Sequence, residues 1–167
     1  MRLTPVSSTA TSTATSTEEH LNVLGAVASI TADAGDTDGE FTVVDMLVPP
    51  GFENGLHSHE QSEVIHVLDG EIQLHVEGED SRLGPGATGY VAGSEKHGFR
   101  VDGEDAAQAL FVFTPAGVED FFRAAGEPVA DRSLPEPREV SEDDLEALFA
   151  LGEEHGFDFY GPLPVGE

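Results

Sequence analysis

The chain has 167 residues, with 33 Asp and Glu against 7 Lys and Arg, which gives a formal net charge of −26 at pH 7. Such an acidic chain is a poor partner for nucleic acid or an anionic membrane, because phosphate groups bind to basic surfaces. The sequence contains no cysteine, which excludes disulfides, thiolate nucleophiles and cysteine-bound zinc. The length suits a single domain with a sizeable core.

The acidic residues are spread along the whole sequence, and Lys96 is the one lysine. This pattern is typical of proteins adapted to high intracellular salt, although an ordinary acidic protein of a mesophile is the alternative. The sequence has no apolar run of about 18 residues and no apolar segment after Arg2. We therefore expect no membrane span, no secretion signal and a cytoplasmic location.

The periodicity of apolar residues predicts an all-β fold in the middle of the chain. Residues 1–19 are dominated by Ser, Thr and Ala and predict a flexible tail. Residues 21–32 predict a first strand, and short alternating segments follow with turn residues about every eight to twelve positions. An antiparallel sandwich or barrel over residues 20–115 is the expected result.

One pair of these segments predicts a hairpin. The strands at 64–68 and 71–76 are joined by Asp69-Gly70, a dipeptide typical of tight hairpin turns. Because Ile72, Leu74 and Val76 alternate, they are expected to face the core, which leaves His75 facing solvent.

The period changes after residue 115. Residues 117–125 predict a short helix that ends at Gly126, and a Pro-rich linker follows. Ser141 begins a second helix with acidic residues in its first turn. We expect residues 116–167 to form helices and a linker that pack on the outside of the barrel.

The residues that carry chemistry are concentrated between positions 51 and 70. Side chains at i and i+2 of a strand share a face, so His57 and His59 can present two imidazoles side by side. Glu63 has the same parity and can add a carboxylate once the chain bends. Imidazole and carboxylate together are ligands for a divalent first-row metal, and His97 is the candidate for a fourth ligand.

The spacing around these residues resembles the first motif of the cupin superfamily at every defined position. The pattern runs from Gly51 through His57, His59 and Glu63 to Gly70. The resemblance covers roughly residues 40–115 and implies a single jelly-roll β-barrel or sandwich with a short C-terminal helical extension. It also implies a metal in the mouth of the barrel, with His57, His59, Glu63 and His97 as ligands.

The second cupin motif is matched only in part. Gly86 and His97 occupy the expected positions, whereas Ala92 stands where proline is usual and Ser94 where glycine is usual. Val101 replaces the usual asparagine. These departures affect the turn that delivers His97 and do not remove a ligand.

The segment after residue 115 resembles the tail of small single-domain cupins similar to quercetin 2,3-dioxygenases. That resemblance implies a metal-dependent dioxygenase acting with dioxygen on a flavonol-like or other enolic small molecule, with Glu63 as both ligand and base. The apolar inner face supplies candidate pocket walls, which are Tyr90, Phe99, Phe111 and Phe113.

Several questions stay open at this point. A metal-bearing module that binds a small molecule without turnover and a cupin isomerase are the alternatives to a dioxygenase. The ligand set accepts iron, manganese, nickel, cobalt, copper or zinc. Cupins commonly pair through strand edges, so a homodimer that uses segment 21–32 is expected. The four remaining histidines, His20, His66, His75 and His155, are expected to lie away from the metal.

Overall fold

The fold is known from a computed structural model, which describes residues 19–164. The predicted tail at residues 1–19 lies outside this range except for Glu19, which begins the first strand. Within the described range the elements are, in chain order, β1 Glu19–Val23, β2 Ala26–Ala32, α1 Ala34–Thr37, β3 Thr42–Val48, β4 Leu56–Ser58, β5 Ser62–Asp69, β6 Ile72–Val76, β7 Glu79–Leu83, β8 Thr88–Val91, β9 His97–Arg100, β10 Ala107–Thr114, α2 Glu119–Ala125, β11 Glu127–Pro128, α3 Glu142–Glu154 and β12 Asp158–Gly161.

Two antiparallel sheets face each other and enclose the core. Across residues 19–164, seven strands form the large sheet in the order β11-β1-β2-β3-β10-β5-β8, and five form the small sheet in the order β12-β4-β9-β6-β7. The rings of Phe99 in β9 and Phe111 in β10 lie 5.4 Å apart and join the two inner faces. The predicted all-β sandwich with small helical parts is confirmed.

The predicted hairpin around Gly70 is wrong. β5 pairs with β10 and β8 in the large sheet, whereas β6 pairs with β7 and β9 in the small sheet. Gly70 has a φ of +73°, and a side chain there would meet the backbone of Ala106 and Ala107, so the chain turns a tight corner between sheets. The true hairpin is β6–β7, which turns at Glu77 and Gly78.

The predicted first strand is in fact a hairpin of two strands. β1 and β2 pair through residues that include Leu21 and Ala28, and they turn at Leu24-Gly25. On its other side β1 pairs with β11 through Leu21 and Pro128. The chain therefore covers part of the edge that was expected to meet a partner subunit, and the homodimer stays a prediction.

Both predicted C-terminal helices are present, but part of the C-terminal segment also joins the small sheet as a strand. Ser141 caps α3 in a capping box with Asp144, and Gly126 follows the last residue of α2. After α3, β12 adds an edge strand to the small sheet beside β4. Phe157 and Phe159 alternate with Asp158, so both aromatic rings lie on one face of the strand, the face directed inwards.

The helices between residues 19 and 164 are all too short or too polar to cross a bilayer.

Candidate metal centre

The predicted ligands come from three neighbouring strand segments. His57 lies in β4 and is directly opposite His97 in β9, while Glu63 lies in β5 of the facing sheet. The imidazole centroids of His57 and His97 are 4.3 Å apart, and those of His59 and His97 are 4.9 Å apart. The sandwich therefore brings together the four side chains that the two motifs predict.

The three imidazoles converge on one point inside the barrel. One ring nitrogen from each of His57, His59 and His97 lies within 4.8 Å of the other two. The three residues expose 6%, 4% and 2% of their surface, respectively. Buried nitrogens at this separation can bind a single cation.

Main-chain carbonyls fix the orientation of all three rings. Nδ1 of His57 lies 2.9 Å from the Gly55 carbonyl oxygen, and Nδ1 of His59 lies 3.0 Å from that of Gln61. Nδ1 of His97 lies 2.8 Å from the carbonyl oxygen of Glu95. Because a carbonyl only accepts, each Nδ1 carries the proton and each Nε2 of a neutral ring is left with a lone pair.

Glu63 shows that this arrangement needs a cation. Its Oε2 lies 3.0 Å from Nε2 of His59 and 3.2 Å from Nε2 of His97. A carboxylate and a neutral Nε2 are both acceptors, so a proton or a metal ion must lie between them. The three imidazole nitrogens therefore fit a divalent metal, and the Glu63 carboxylate lies beside two of them, at His59 and His97.

The electrostatics of the cluster follow from burial and from these contacts. Burial lowers the pKa of His57 to about 4, and the neighbouring His97 adds to the shift. Burial would raise the pKa of Glu63, but hydrogen bonds from His59 and His97 outweigh it and hold that pKa well below its ordinary range. Burial likewise opposes the charged form of His97, yet the hydrogen bond to Glu63 raises its pKa. The hydrogen bond between the two side chains thus favours the anionic form of Glu63 and the protonated form of His97.

Three of the four predicted pocket residues lie in the interior. The ring of Phe113 meets His59 edge-on at 5.9 Å, and Phe111 and Phe99 continue an aromatic row behind it. Tyr90 does not belong to this row, because 63% of its surface is exposed. It alternates with the buried Val91 in β8, which places Tyr90 on the outer face of the sheet.

Two further aromatic residues of the site are not among the predicted pocket walls. Phe157 lies 5.0 Å from the ring of His59 and 6.1 Å from that of His57, measured between centroids. Phe159 is paired with His57 across β12 and β4, with centroids 6.2 Å apart. A signal was available, since two aromatics separated by one residue after a glycine are typical of a strand with one buried face.

The remaining histidines lie outside the cluster, but one expectation about them is wrong. His75 is 6% exposed rather than solvent-facing, and its Nδ1 lies 2.8 Å from Oδ1 of Asp80. It does point away from the core. Leu163 packs over Gly98, which is the residue opposite His75, and so covers this outer face. His66 has its Nδ1 2.8 Å from Oγ1 of Thr88, also on an outer face.

The unusual Ser94 of the second motif adopts the backbone conformation that glycine favours. Its φ is +69°, and its amide donates a 2.8 Å hydrogen bond to the carbonyl of His59. The turn that leads to His97 therefore has the left-handed geometry that explains a glycine preference at this position.

Comparison with known proteins supports the same reading of the site. Residues 44–113 match the cupin domain family. The chain is 31% identical over 125 residues to the quercetin 2,3-dioxygenase of Bacillus subtilis (strain 168), an alignment that covers 71% of this chain and 37% of that protein. It is also 34% identical over 118 residues to a protein of Myxococcus xanthus (strain DK1622) named endoribonuclease YbeY, covering 71% of this chain and 36% of that one.

The chain spans little more than a third of the length of these curated relatives. A solved structure of similar size is the RmlC-like cupin of Shewanella frigidimarina NCIMB 400, with 25% identity and a TM-score of 0.55. That match covers 62% of this chain and 88% of the other. The two-sheet fold and the buried cluster of histidines with a glutamate agree with the matched domain, and residues 44–113 of this chain form a cupin domain.

Proposed function

We propose that this protein is a metal-dependent dioxygenase of the quercetin 2,3-dioxygenase type, acting on a flavonol-like or other enolic small molecule. The convergence of three imidazoles and one carboxylate inside an aromatic interior carries this proposal. The similarity to the Bacillus subtilis quercetin 2,3-dioxygenase supports the choice of reaction among those that cupins catalyse.

His57, His59, His97 and Glu63 would hold the metal. A divalent transition metal bound there would supply Lewis acidity towards an enolic oxygen of the substrate and a binding position for dioxygen. Hydrogen bonds from His59 and His97 lower the pKa of Glu63, so its carboxylate is anionic at neutral pH. Glu63 is the one carboxylate among these four residues, and we assign to it the role of taking the hydroxyl proton of an enolic substrate.

The walls of the site favour a flat, apolar substrate. Phe113 and Phe157 flank His59, and Phe111 stacks on Phe113 with centroids 6.3 Å apart. Aromatic faces attract a planar conjugated ring and exclude water from the reacting groups. A flavonol presents such a ring next to its enolic oxygen.

The name of the second curated relative points to RNA cleavage, but the surface of this chain argues against that activity here. RNA binding depends on basic residues that neutralise phosphates, and this chain has 7 Lys and Arg against 33 Asp and Glu. The aligned region is 36% of that relative, so its name describes a longer protein.

The proposal is tested by dioxygen uptake. Protein purified from its own host is analysed for metals, and the loaded protein is then assayed with an oxygen electrode over a panel of flavonols and other enolic compounds. We expect uptake with a flavonol-like member of the panel. Binding of a panel member by the metal-loaded protein without oxygen uptake would instead support a binding module, and conversion without oxygen uptake would support an isomerase.

Two variants sharpen this experiment. Glu63→Gln keeps the size of the side chain but removes the proton acceptor, so we expect metal to be retained by the three histidines while turnover falls by roughly 10²–10⁴-fold. His66→Ala is the matched control, because His66 lies on the outer face of the sheet that carries Glu63. Equal oxygen uptake by Glu63→Gln and the wild type would remove the base role from Glu63.

A further inference from the structure

The candidate metal centre is almost closed to solvent. Its four ligand residues expose between 2% and 6% of their surface, so the described conformation leaves a flavonol-sized molecule no direct access to their ring nitrogens and carboxylate. Entry therefore requires that some covering element moves. The element that moves must be one whose displacement leaves all four ligand residues in place.

Most of the cover belongs to strands that are themselves part of the site or of the central sheet. Phe113 lies in β10, which pairs with β3 on one side and β5 on the other. His97 and Phe99 lie in β9, between β4 and β6. Movement of either strand would break two strand pairings and displace a ligand or the core.

β12 differs from β9 and β10 in its position in the sheet, in its pairing and in the absence of a ligand residue. It carries no ligand, and it lies at the edge of the small sheet with β4 as its neighbour. The pairing with β4 is short and irregular, with a register shift between Phe159 and Gly161. Gly156 lies just before the segment and Gly161 ends the strand, with φ values of +84° and +106° that favour glycine.

Phe159 of β12 and Phe157, the residue just before the strand, nevertheless supply rings that lie on the ligands. Phe157 covers both His57 and His59, and it is backed by Phe121 of α2 with centroids 4.4 Å apart. Phe159 lies between His57 and Phe149 of α3. Displacing β12 together with Phe157 would uncover His57 and His59.

The side chains of Phe157 and Leu163 are buried, but several polar contacts of the segment lie near the surface. Tyr160 is 45% exposed, its hydroxyl is 2.8 Å from Oγ of Ser58, and Nζ of Lys96 lies 4.3 Å from the centre of its ring. The Leu163 amide donates to Oε1 of Glu53 at 2.5 Å, and a guanidinium nitrogen of Arg100 lies 3.3 Å from the Pro164 carbonyl. Such partly solvated contacts break at lower cost than the core pairings of β10 and β9.

We propose that residues 157–164 form a movable lid over the metal centre, and that Phe157 is the residue that opens and closes the route to it. This inference rests on the proposed metal centre and adds the route by which its substrate enters. Local opening of edge elements is the low-energy motion of a folded protein, and lids over binding sites are drawn from such elements.

The chain allows a direct test because it contains no cysteine. Ser58 and Asp158 are directly opposite in the β4–β12 pair. Opposite residues of antiparallel strands have Cα atoms about 4.5–5.5 Å apart, which lies within the roughly 4.4–6.8 Å that a disulfide bridges. The double variant Ser58→Cys/Asp158→Cys therefore locks the lid when oxidised and frees it when reduced and alkylated.

The measurement is the rate at which EDTA removes Co²⁺ from the loaded protein, followed by visible absorption. We expect the oxidised variant to lose Co²⁺ at least about tenfold more slowly than its reduced and alkylated form, because the lid must open before the chelator enters. The control is Gln73→Cys/Arg82→Cys, whose disulfide would join the opposite residues of β6 and β7 and leave β12 free. Equal rates in the oxidised and reduced lid variants would overturn the proposal.

A second readout separates the lid from the metal and from catalysis. In metal-free protein, diethyl pyrocarbonate modifies accessible imidazoles, and peptide mass spectrometry reports the modification of His57 and His59. We expect the oxidised lid variant to protect both residues relative to its reduced form, with modification of His66 unchanged as an internal reference. Equal modification of His57 and His59 in the two forms would overturn the lid even if no metal bound. Failure to consume dioxygen would refute the proposed function and leave both comparisons unaffected.

Discussion

His57 and His97 face each other directly across β4 and β9, with ring centroids 4.3 Å apart. This one registered pair joins the two histidine motifs, which are far apart in the sequence. A slip of one residue in the pairing would turn His97 to the outer face of the sheet. The arrangement of the candidate metal centre therefore depends on the register of these two short strands.

The first prediction concerns the ligands. Both His57→Ala and His97→Ala should lower metal affinity by more than the roughly 10–100-fold typical of changes outside the ligand shell, because each removes one of three converging nitrogens. Metal content after dialysis, measured by elemental analysis, checks this. His66→Ala serves as the control and should keep a full complement of metal. Retention of metal by the His97 variant would show that the ion binds elsewhere.

The second prediction concerns a residue that binds no metal. A methyl group at Gly98 would collide with the carbonyl oxygen of Gly55, which accepts the Nδ1 proton of His57. Gly98→Ala should therefore turn the His57 ring and weaken metal binding by roughly 10–100-fold. Gly84→Ala is the matched control, since a side chain there meets no atom within 4 Å. Equal metal affinity in the two alanine variants would show that the Gly55 carbonyl does not orient His57.

The third prediction concerns Glu119, a buried carboxylate far from the cluster. It accepts hydrogen bonds from Thr42 Oγ1 at 2.5 Å, from the Gly117 amide at 2.8 Å and from the Ala34 amide at 2.9 Å. Burial would raise its pKa, but these hydrogen bonds, led by that of Thr42, lower it. Since an amide nitrogen cannot accept, Glu119→Gln should cost about 1–3 kcal/mol of unfolding free energy at neutral pH.

The pH dependence of the same variant has a defined sign. A carboxyl whose pKa is lowered by folding stabilises the protein above its ordinary pKa of 4.5, and the stabilisation is lost as the pH falls towards the folded value. The difference in unfolding free energy between wild type and Glu119→Gln should therefore shrink below about pH 4.5. Urea titrations at several pH values measure it, with the exposed neighbour substituted as Asp120→Asn for comparison. A difference that is constant with pH would show that the titration of Glu119 is not coupled to folding.

The fourth prediction concerns the turn before His97. Ser94 has a φ of +69°, a conformation that costs a residue with a side chain about 1–2 kcal/mol. Ser94→Gly removes this cost. Glycine also makes the unfolded chain more flexible, which lowers the free energy of unfolding by a smaller amount of about 0.5–1 kcal/mol. The melting temperature should therefore rise slightly. Ser81→Gly, in the exposed strand β7, should lower it, and a fall in both variants would contradict the assigned strain.

The fifth prediction concerns salt. At a net charge of −26 the folded chain repels itself, and screening shortens the reach of that repulsion from roughly 10 Å at 0.1 M salt to about 3 Å at 1 M. The melting temperature should rise with potassium chloride into the molar range, in metal-loaded and metal-free protein alike. Mild acid should destabilise the loaded form more, because protonation of the histidines releases the metal. A melting temperature that stays flat or falls with salt would refute adaptation to high salt.

Strand periodicity and motif spacing together predict the four residues of the candidate centre. A period of two places His57 and His59 on one face wherever the strand lies, and the motif spacing adds Glu63 and His97. The alternation of Tyr90 with Val91 was also present in the sequence. It does not tell which of two alternating residues faces inwards unless one of them is clearly polar, and this is why Tyr90 was assigned to the wrong side.

The errors in the fold concern partners that are distant in sequence. Asp69-Gly70 has the chemistry of a tight turn, but turn chemistry does not reveal whether the next strand returns to the same sheet or crosses to the other. The pairing of β12 with β4 joins Phe159 to His57, and no local pattern encodes that contact. Local propensity thus gave the elements, while the assignment of strands to sheets depended on packing of the whole chain.

The acceptors that orient the three imidazoles are main-chain oxygens, those of Gly55, Gln61 and Glu95. No amino-acid replacement deletes a main-chain oxygen, so the tautomer and tilt of each ring can persist while the surrounding side chains diverge during evolution. The aromatic walls and the β12 segment have no such protection and are free to change. A scaffold built in this way can acquire a new substrate by altering its walls, without having to rebuild the centre that binds the metal.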